Sequence, residues 1–387
     1  MKTNHKTDHK IDETARNRQE RRQAKKQIDG KASREGERYG ERVLVSCDPE
    51  FANVALQELR EMLPDMPVPL WVDDGIALCT PRMTFASFAA LMQEKSPIFV
   101  RHIAPVQQEI PLQGEAVDVE AMAAAVCALS GQIDPSQTFA VQARFLSDMP
   151  RPYRKFTVNE TLSARLSAET GAAMECKTPV QIVSVLCTLN TAYVGISRAV
   201  QNRSDWPGGE HRFKRDDEQI SRAEFKLLEA IDVFGLEFPA GGKALDMGAA
   251  PGGWTRVLRQ LGIRVVAVDP ADMDIRFRGD PNVTRVATTI EAFLPAVKTR
   301  FDLIVNDMRM DADESVERML KASKCLLPGC LGVMTFKLPH TLNSNRDTLT
   351  EIRQALERLS RDYRIIGARQ LYHNRSEVTV AMKARGT

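Results

Sequence analysis

The nine residues Asp246-Met247-Gly248-Ala249-Ala250-Pro251-Gly252-Gly253-Trp254 constrain this chain more than any other stretch. An apolar run over 244–247 leads into them and a helical pattern over 254–261 leads out, so three glycines and a proline sit where a strand must turn into a helix. Such a turn belongs at the carboxyl end of a parallel strand, the edge at which open α/β sheets bind ligands. The same alternation continues with strands at 264–269, 301–307 and 332–338, helices at 221–234, 315–325 and 346–359, and closing strands near 365–371 and 378–382. That order predicts an α/β domain over 220–387, Rossmann-like, with a doubly wound and mostly parallel sheet.

Within the loop, small residues allow a ligand close to the backbone, and Pro251 stiffens the turn. The dinucleotide fingerprint G-x-G-x-x-G would need glycine at 250, where Ala250 stands, so nothing here demands a phosphate. That gap disfavours a nicotinamide dehydrogenase. Asp269, ending the second strand, is placed to accept both hydroxyls of an adenosine ribose. An arbitrary tight turn is the rival reading of the loop, and the acid weakens it.

Four ionisable residues fall where strand ends converge on that crevice. Lys226 is on the helix before the first strand, Asp307 ends the strand 301–307, Lys337 lies near the end of 332–338, and Glu377 opens the last strand. A lysine inside a strand is costly unless paired, which marks Lys337 as functional. Taken singly, each of the four reads as a surface salt bridge. Taken together they read as a general base with the charges that tune it.

The run DMGAAPGGWTRVL with VVAVDP resembles the S-adenosylmethionine-binding motif of FtsJ-like ribose methyltransferases. The resemblance implies cofactor contacts from Gly248, Ala250, Pro251, Gly252, Gly253, Trp254, Asp269 and Asp307. The order Lys226, Asp307, Lys337, Glu377 is similar to the catalytic tetrad of that family, which implies Lys337 as the base, its proton affinity lowered by Lys226 and by desolvation, with Asp307 and Glu377 orienting the lysines. Segments Arg369-Gln370-Leu371-Tyr372-His373, Glu377-Val378-Thr379-Val380 and Lys155-Phe156-Thr157-Val158 resemble the bacterial 23S rRNA ribose methyltransferase M group. That implies a THUMP RNA-binding region before the catalytic domain, and 23S rRNA or a ribosomal precursor particle as partner. Where that family places an acidic residue near the adenine amino group, this chain has Thr288 or Thr289, with Glu291 close by. Tyr372 and His373 read equally as RNA-stacking residues and as a half-buried strand pair.

Ahead of this domain, residues 1–42 are almost wholly polar, with the cluster Arg16, Arg18, Arg21, Arg22, Lys25 and Lys26. They read equally as a solvated tail and as a disordered basic arm for phosphates. A small α+β domain is expected over 43–110, with strands 43–47, 75–79 and 98–105 and helices from 48 to about 62 and over 85–93. A THUMP-like domain is expected over 111–200, with strands 138–145, 180–188 and 192–200 and a helix over 155–170. The Gly, Pro and charge-rich stretch 201–219 is expected as a linker. No window approaches eighteen uninterrupted apolar residues, and the charged N-terminus lacks the apolar core of a secretory signal, so a cytoplasmic protein without membrane contact is expected. Seven cysteines without C-x-x-C and six histidines without H-E-x-x-H lead us to expect buried free thiols and no metal. A non-catalytic RNA-binding protein that kept the fold is the alternative, disfavoured by the complete set of four ionisable residues.

Overall fold

The computed structural model describes residues 40–146, 150–338 and 348–385, so residues 1–39 of the expected basic arm lie outside it. The chain divides into two compact units, Met1–Glu210 and His211–Thr387.

In the first unit, β1 (Arg42–Ser46), β2 (Leu70–Asp73), β3 (Ile76–Cys79) and β4 (His102–Val106) form an antiparallel sheet in the order β2-β3-β1-β4, accompanied by helices α1 (Ala52–Met62) and α2 (Phe85–Lys95). The middle of β1, Val43–Val45, is apolar because both of its faces are covered. Val43 and Val45 pack with Leu59, Phe88 and Met92, while Leu44 meets Ile76, Val106, Leu186 and Tyr193. The strand expected from 98 starts only at His102, because Ile98 and Phe99 donate their N–H groups to the buried Glu58 carboxylate instead of to a neighbouring strand.

A second sheet follows, β5 (Gln108–Pro111), β6 (Phe139–Phe145), β7 (Gln181–Cys187) and β8 (Thr191–Arg198), ordered β5-β8-β7-β6 with only β6 and β7 parallel. Residues 108–110, expected with the preceding domain, belong to this sheet through the pairing of β5 with β8. Helices α3 (Val117–Ala128) and α4 (Lys155–Thr170) cover it, with Met122, Val126, Val158, Leu162 and Leu166 in the core. α3 has no counterpart in the sequence reading, because its run of alanines leaves no polar face from which a helical period can be read. The stretch expected as a linker is packed, not loose, over its first half. Asn202 is wholly buried, Arg203 donates to the Val100 and Pro97 carbonyls, and the Gln142 amide donates to the Asp205 carbonyl at 2.7 Å.

The second unit holds α5 (Ala223–Phe234), β9 (Lys243–Met247), α6 (Gly253–Gln260), β10 (Arg264–Val268), β11 (Val283–Val286), α7 (Ile290–Phe293), β12 (Phe301–Asn306), α8 (Ala312–Ser323), β13 (Leu326–Lys337), α9 (Thr348–Leu359), β14 (Tyr363–Arg369) and β15 (Glu377–Ala384). Its sheet is ordered β11-β10-β9-β12-β13-β15-β14, parallel except for β15, which runs antiparallel to both neighbours. This is the Rossmann-like, doubly wound architecture. Central strands such as β9 and β12 are buried on both faces, which is why their middles, Ala244–Leu245 and Leu303–Val305, read as apolar without alternation. Leu303 and Val305 pack with Leu227, Val257 and Leu258, while the equally buried Ile304 lies outside that cluster. The order of strands reverses between β9 and β12, so a ligand crevice is set up at their carboxyl ends.

Among the described residues no helix is long and apolar enough to cross a membrane. The thiols are not uniformly buried: Cys47, Cys79, Cys187 and Cys325 are, Cys127 and Cys330 are partly exposed, and Cys176 is exposed.

Candidate active site

The loop after β9 needs its glycines for two reasons at once. Gly248 has φ +74° and a Cβ there would lie 2.3 Å from Met308; Gly252 has φ +119° and a Cβ would lie 2.2 Å from Phe277. Any side chain would meet both strain and collision. Gly248 and Ala249 donate to the Val268 carbonyl, and Ala250 donates to Asp269 Oδ2 at 3.1 Å, while Asp269 Oδ1 accepts from Ala271 at 2.8 Å. The Asp269 carboxylate therefore ties the loop to the end of β10 and still keeps a free lone pair on each oxygen. The Ala250–Pro251 bond is cis and Pro251 is exposed. Gly253 opens α6.

Trp254 departs from expectation. The residue is 3% exposed, packs in the core, and donates its indole N–H to the Ala223 carbonyl at 2.8 Å, so its ring offers no open face to a ligand. Asp246, one strand residue before the loop, is buried and accepts from the Thr255 hydroxyl at 2.6 Å. Burial, with the charges of Asp307 and Asp269, pushes it up to about 7.

The four ionisable residues come together. Lys226 Nζ lies 3.1 and 3.2 Å from the two Asp307 oxygens and 2.6 Å from Glu377 Oε2. Lys337 Nζ contacts Glu377 Oε1, as the register demands, since Lys337 and Glu377 are paired across β13 and β15. β15 runs antiparallel, and so its first residue reaches the same sheet edge as the last residue of β13. Asp307 is further held by the Thr335 hydroxyl at 2.5 Å, and the side chains of Asn306 and Ser315 brace the turn that carries it. One carboxylate, Glu377, is thus divided between two ammonium groups. Burial, then the Lys226 charge, push Lys337 down to about 8 against the pull of Asp307, with Arg309 and Arg375 adding to the push. Lys337 is also the most exposed of the four, at 33% of its side chain against 15% for Lys226, 14% for Asp307 and 7% for Glu377.

Around this centre the remaining candidates have local partners. Thr289 caps α7 through its hydroxyl, Glu291 pairs with Arg318, and Thr288 is partly exposed just after β11. Tyr372 and His373 are neither a strand pair nor free stacking faces. They lie in the turn between β14 and β15, and His373 packs on Phe213 and Phe225 with ring centroids 5.5 and 5.1 Å away. Glu229 and His211, both buried beside that turn, gave no sequence signal, because a single acid on an amphipathic helix reads as part of its solvated face. Among the described residues no group of His, Cys, Asp or Glu could hold a metal ion.

Residues 219–349 match the FtsJ-like methyltransferase family model. Three similar proteins are each named ribosomal RNA large subunit methyltransferase M. The one from Halorhodospira halophila is 34% identical over 181 residues, covering 46% of this chain and 51% of its own. Its counterpart in Marinobacter nauticus is 34% identical over 212 residues, 50% and 55%. That of Shewanella sediminis is 29% identical over 244 residues, 60% and 66%. The chain spans about half the length of the first of these relatives.

Proposed function

We propose that this chain, whose C-terminal unit carries an FtsJ-like methyltransferase domain, transfers a methyl group from S-adenosylmethionine to a ribose 2′-hydroxyl of 23S rRNA. The observation that carries the reading is the pair of lysines sharing the Glu377 carboxylate at the end of the crevice, with the more exposed of the two shifted toward its neutral form. A ribose hydroxyl is a poor nucleophile until a base removes its proton, and a lysine near 8 can accept one at physiological pH. Lys337 would take that proton. Lys226 is held between Asp307 and Glu377, and these carboxylates fix both side chains toward the hydroxyl.

The loop suits the cofactor. Its glycines leave backbone open where a Cβ would clash, and the spare lone pairs of Asp269 match a pair of ribose hydroxyls. Gly248, Ala250, Pro251, Gly252, Gly253 and the backbone of Trp254 would line it. Bound there, S-adenosylmethionine supplies an electrophilic methyl group; the protein's part is to hold the acceptor oxygen in line with it and to take the proton. The first sheet with its helices would serve as a small α+β domain and the second, from β5 on, as a THUMP-like RNA-binding domain, and the cytoplasm would be the place of action. The names of the relatives and the position of the four ionisable residues support the rRNA target.

Mapping 2′-O-methylation across rRNA from cells with and without the gene tests the proposal. Loss of one ribose methylation in 23S rRNA, restored by the wild-type gene, is the expected result. An unchanged map, or loss of a base methylation instead, would overturn it.

A further inference from the structure

Glu229 is a buried charge that the chemistry above leaves unused. It lies on α5 three residues beyond Lys226, so the two side chains leave adjacent points on one helical face. Its carboxylate, in a residue 1% exposed, accepts the backbone N–H groups of Tyr372 and His373, each at 2.8 Å. It also meets Nδ1 of His373 at 2.8 Å and Nδ1 of His211 at 3.3 Å, while His211 Nε2 faces Asp232 at 3.2 Å. Burial works to discharge both His211 and Glu229. The hydrogen bonds win: Asp232 and Glu229 raise His211 to about 9, and His211 and His373 hold Glu229 at about 2.

The turn held in this way runs straight into Glu377. Gln370 donates to the Arg375 carbonyl at 3.0 Å, and the buried Asn374 amide donates to the Glu377 carbonyl at 3.3 Å and to the Thr379 hydroxyl at 2.9 Å. Leu338 donates its N–H to the Ser376 carbonyl at 2.8 Å, which joins the turn to the strand end carrying Lys337. α5 therefore reaches Glu377 twice, directly through Lys226 and indirectly through Glu229 and the turn.

We infer that Glu229 is a positioning residue: anchored on the helix that carries Lys226, it fixes the turn 371–376 and so holds the Glu377 carboxylate between the two lysines. The inference rests on the proposed methyl transfer for its meaning, while its geometry is independent of it. A glutamine at this position would turn an NH2 group toward an N–H group, which opens the turn and lets water reach Lys337. Since burial is the largest influence lowering Lys337, its proton affinity should then rise.

The test uses the full chain and the variants Glu229→Gln, Glu229→Asp and His373→Gln. Acylation of Lys337 is followed by mass spectrometry as a function of pH, without RNA or cofactor, next to the methylation rate, the KM for rRNA and the Kd for S-adenosylmethionine. In wild type the acylation midpoint is expected near 8. In Glu229→Gln it should move up, with kcat at pH 7 falling about tenfold for each unit moved while KM and Kd change less than about twofold. Glu229→Asp, which keeps the charge, should recover part of the loss, and His373→Gln, which removes one contact only, should shift the midpoint less and in the same direction. If Glu229→Gln does not fold, His373→Gln decides alone. An unmoved midpoint in the folded variants would overturn the inference, whereas a wild-type chain that fails to methylate rRNA would overturn the proposed function instead.

Discussion

Asp118 in the N-terminal unit and Asp246 in the C-terminal unit are almost equally inaccessible, at 1% and 2%, yet they are shifted in opposite directions. Burial works to raise both. Asp118 accepts from the backbone of Gln113 and Gly114 at 2.8 and 2.9 Å and from the Tyr153 hydroxyl at 2.8 Å, and these donors hold its carboxyl below the usual carboxylate range. Asp246 has Thr255 as its side-chain donor and faces the charges of Asp307 and Asp269, so it rises to about 7. A buried charge given enough donors is part of the scaffold; one left among other charges is displaced toward neutrality, and such groups gather where chemistry is done. Lys337, lowered to about 8, belongs to the second kind.

The contrast breaks most sharply if Lys337 proves replaceable. Lys337→Met should reduce single-turnover methyl transfer by about 10²-fold or more while leaving calorimetric S-adenosylmethionine affinity near wild type, because the base acts on the ribose and not on the cofactor. A variant that keeps above about a tenth of the rate would remove Lys337 from the role of base. Asp269→Ala tests the other half of the crevice and should act on binding. Losing charge-assisted hydrogen bonds worth about 1.5–3 kcal/mol each raises the Kd by roughly ten- to a hundredfold for each bond lost. An unchanged Kd would place the ribose elsewhere.

A pH profile sharpens the same comparison with a smaller effect. Only neutral Lys337 can accept a proton, so at saturating cofactor and RNA the rate should climb about tenfold per unit below the lysine's titration point, near 8, and level off above it. A rate independent of pH between 6 and 9 would mean that no group with the shifted character of Lys337 limits the reaction.

How much of this could be read in the sequence follows the same division. The loop 248–253 and the four ionisable residues were legible because strand ends in a parallel sheet are fixed by alternation, and Lys337 faces Glu377 once β15 is taken as antiparallel. Trp254 was not, since spacing alone does not say that its ring turns back to meet the Ala223 carbonyl. α3 was hidden by its alanines, and the late start of β4 by a single buried carboxylate, Glu58, that captures two backbone donors from forty residues away. The Glu229 network escaped for a similar reason: its partners at 211 and 372–373 are brought together only by the fold. Local pattern shows elements and their ends, whereas long-range satisfaction of buried polar groups appears only in three dimensions.

The smallest effect on chemistry, and the cleanest separation of the two kinds of buried charge, should come from Asp118→Asn. The amide can accept at one atom only, so at least one of the donors from Gln113, Gly114 and Tyr153 is left facing an NH2 group, at a cost of about 1–3 kcal/mol to the N-terminal unit. Because the carboxyl of Asp118 is depressed on folding, the stability it contributes is present at neutral pH and above and is lost as pH falls through its folded-state titration. Thermal unfolding followed at pH 7 and again in acid should therefore show the variant less stable than wild type at pH 7 and the gap closing as pH falls. Methyl transfer per folded molecule, measured below the unfolding transition, should stay within about twofold of wild type, since Asp118 lies outside the unit that holds the crevice. A loss of rate comparable to that of Lys337→Met would show that a fully satisfied carboxylate can be as much a part of the chemistry as one displaced toward neutrality, and the distinction drawn from Asp118 and Asp246 would fail.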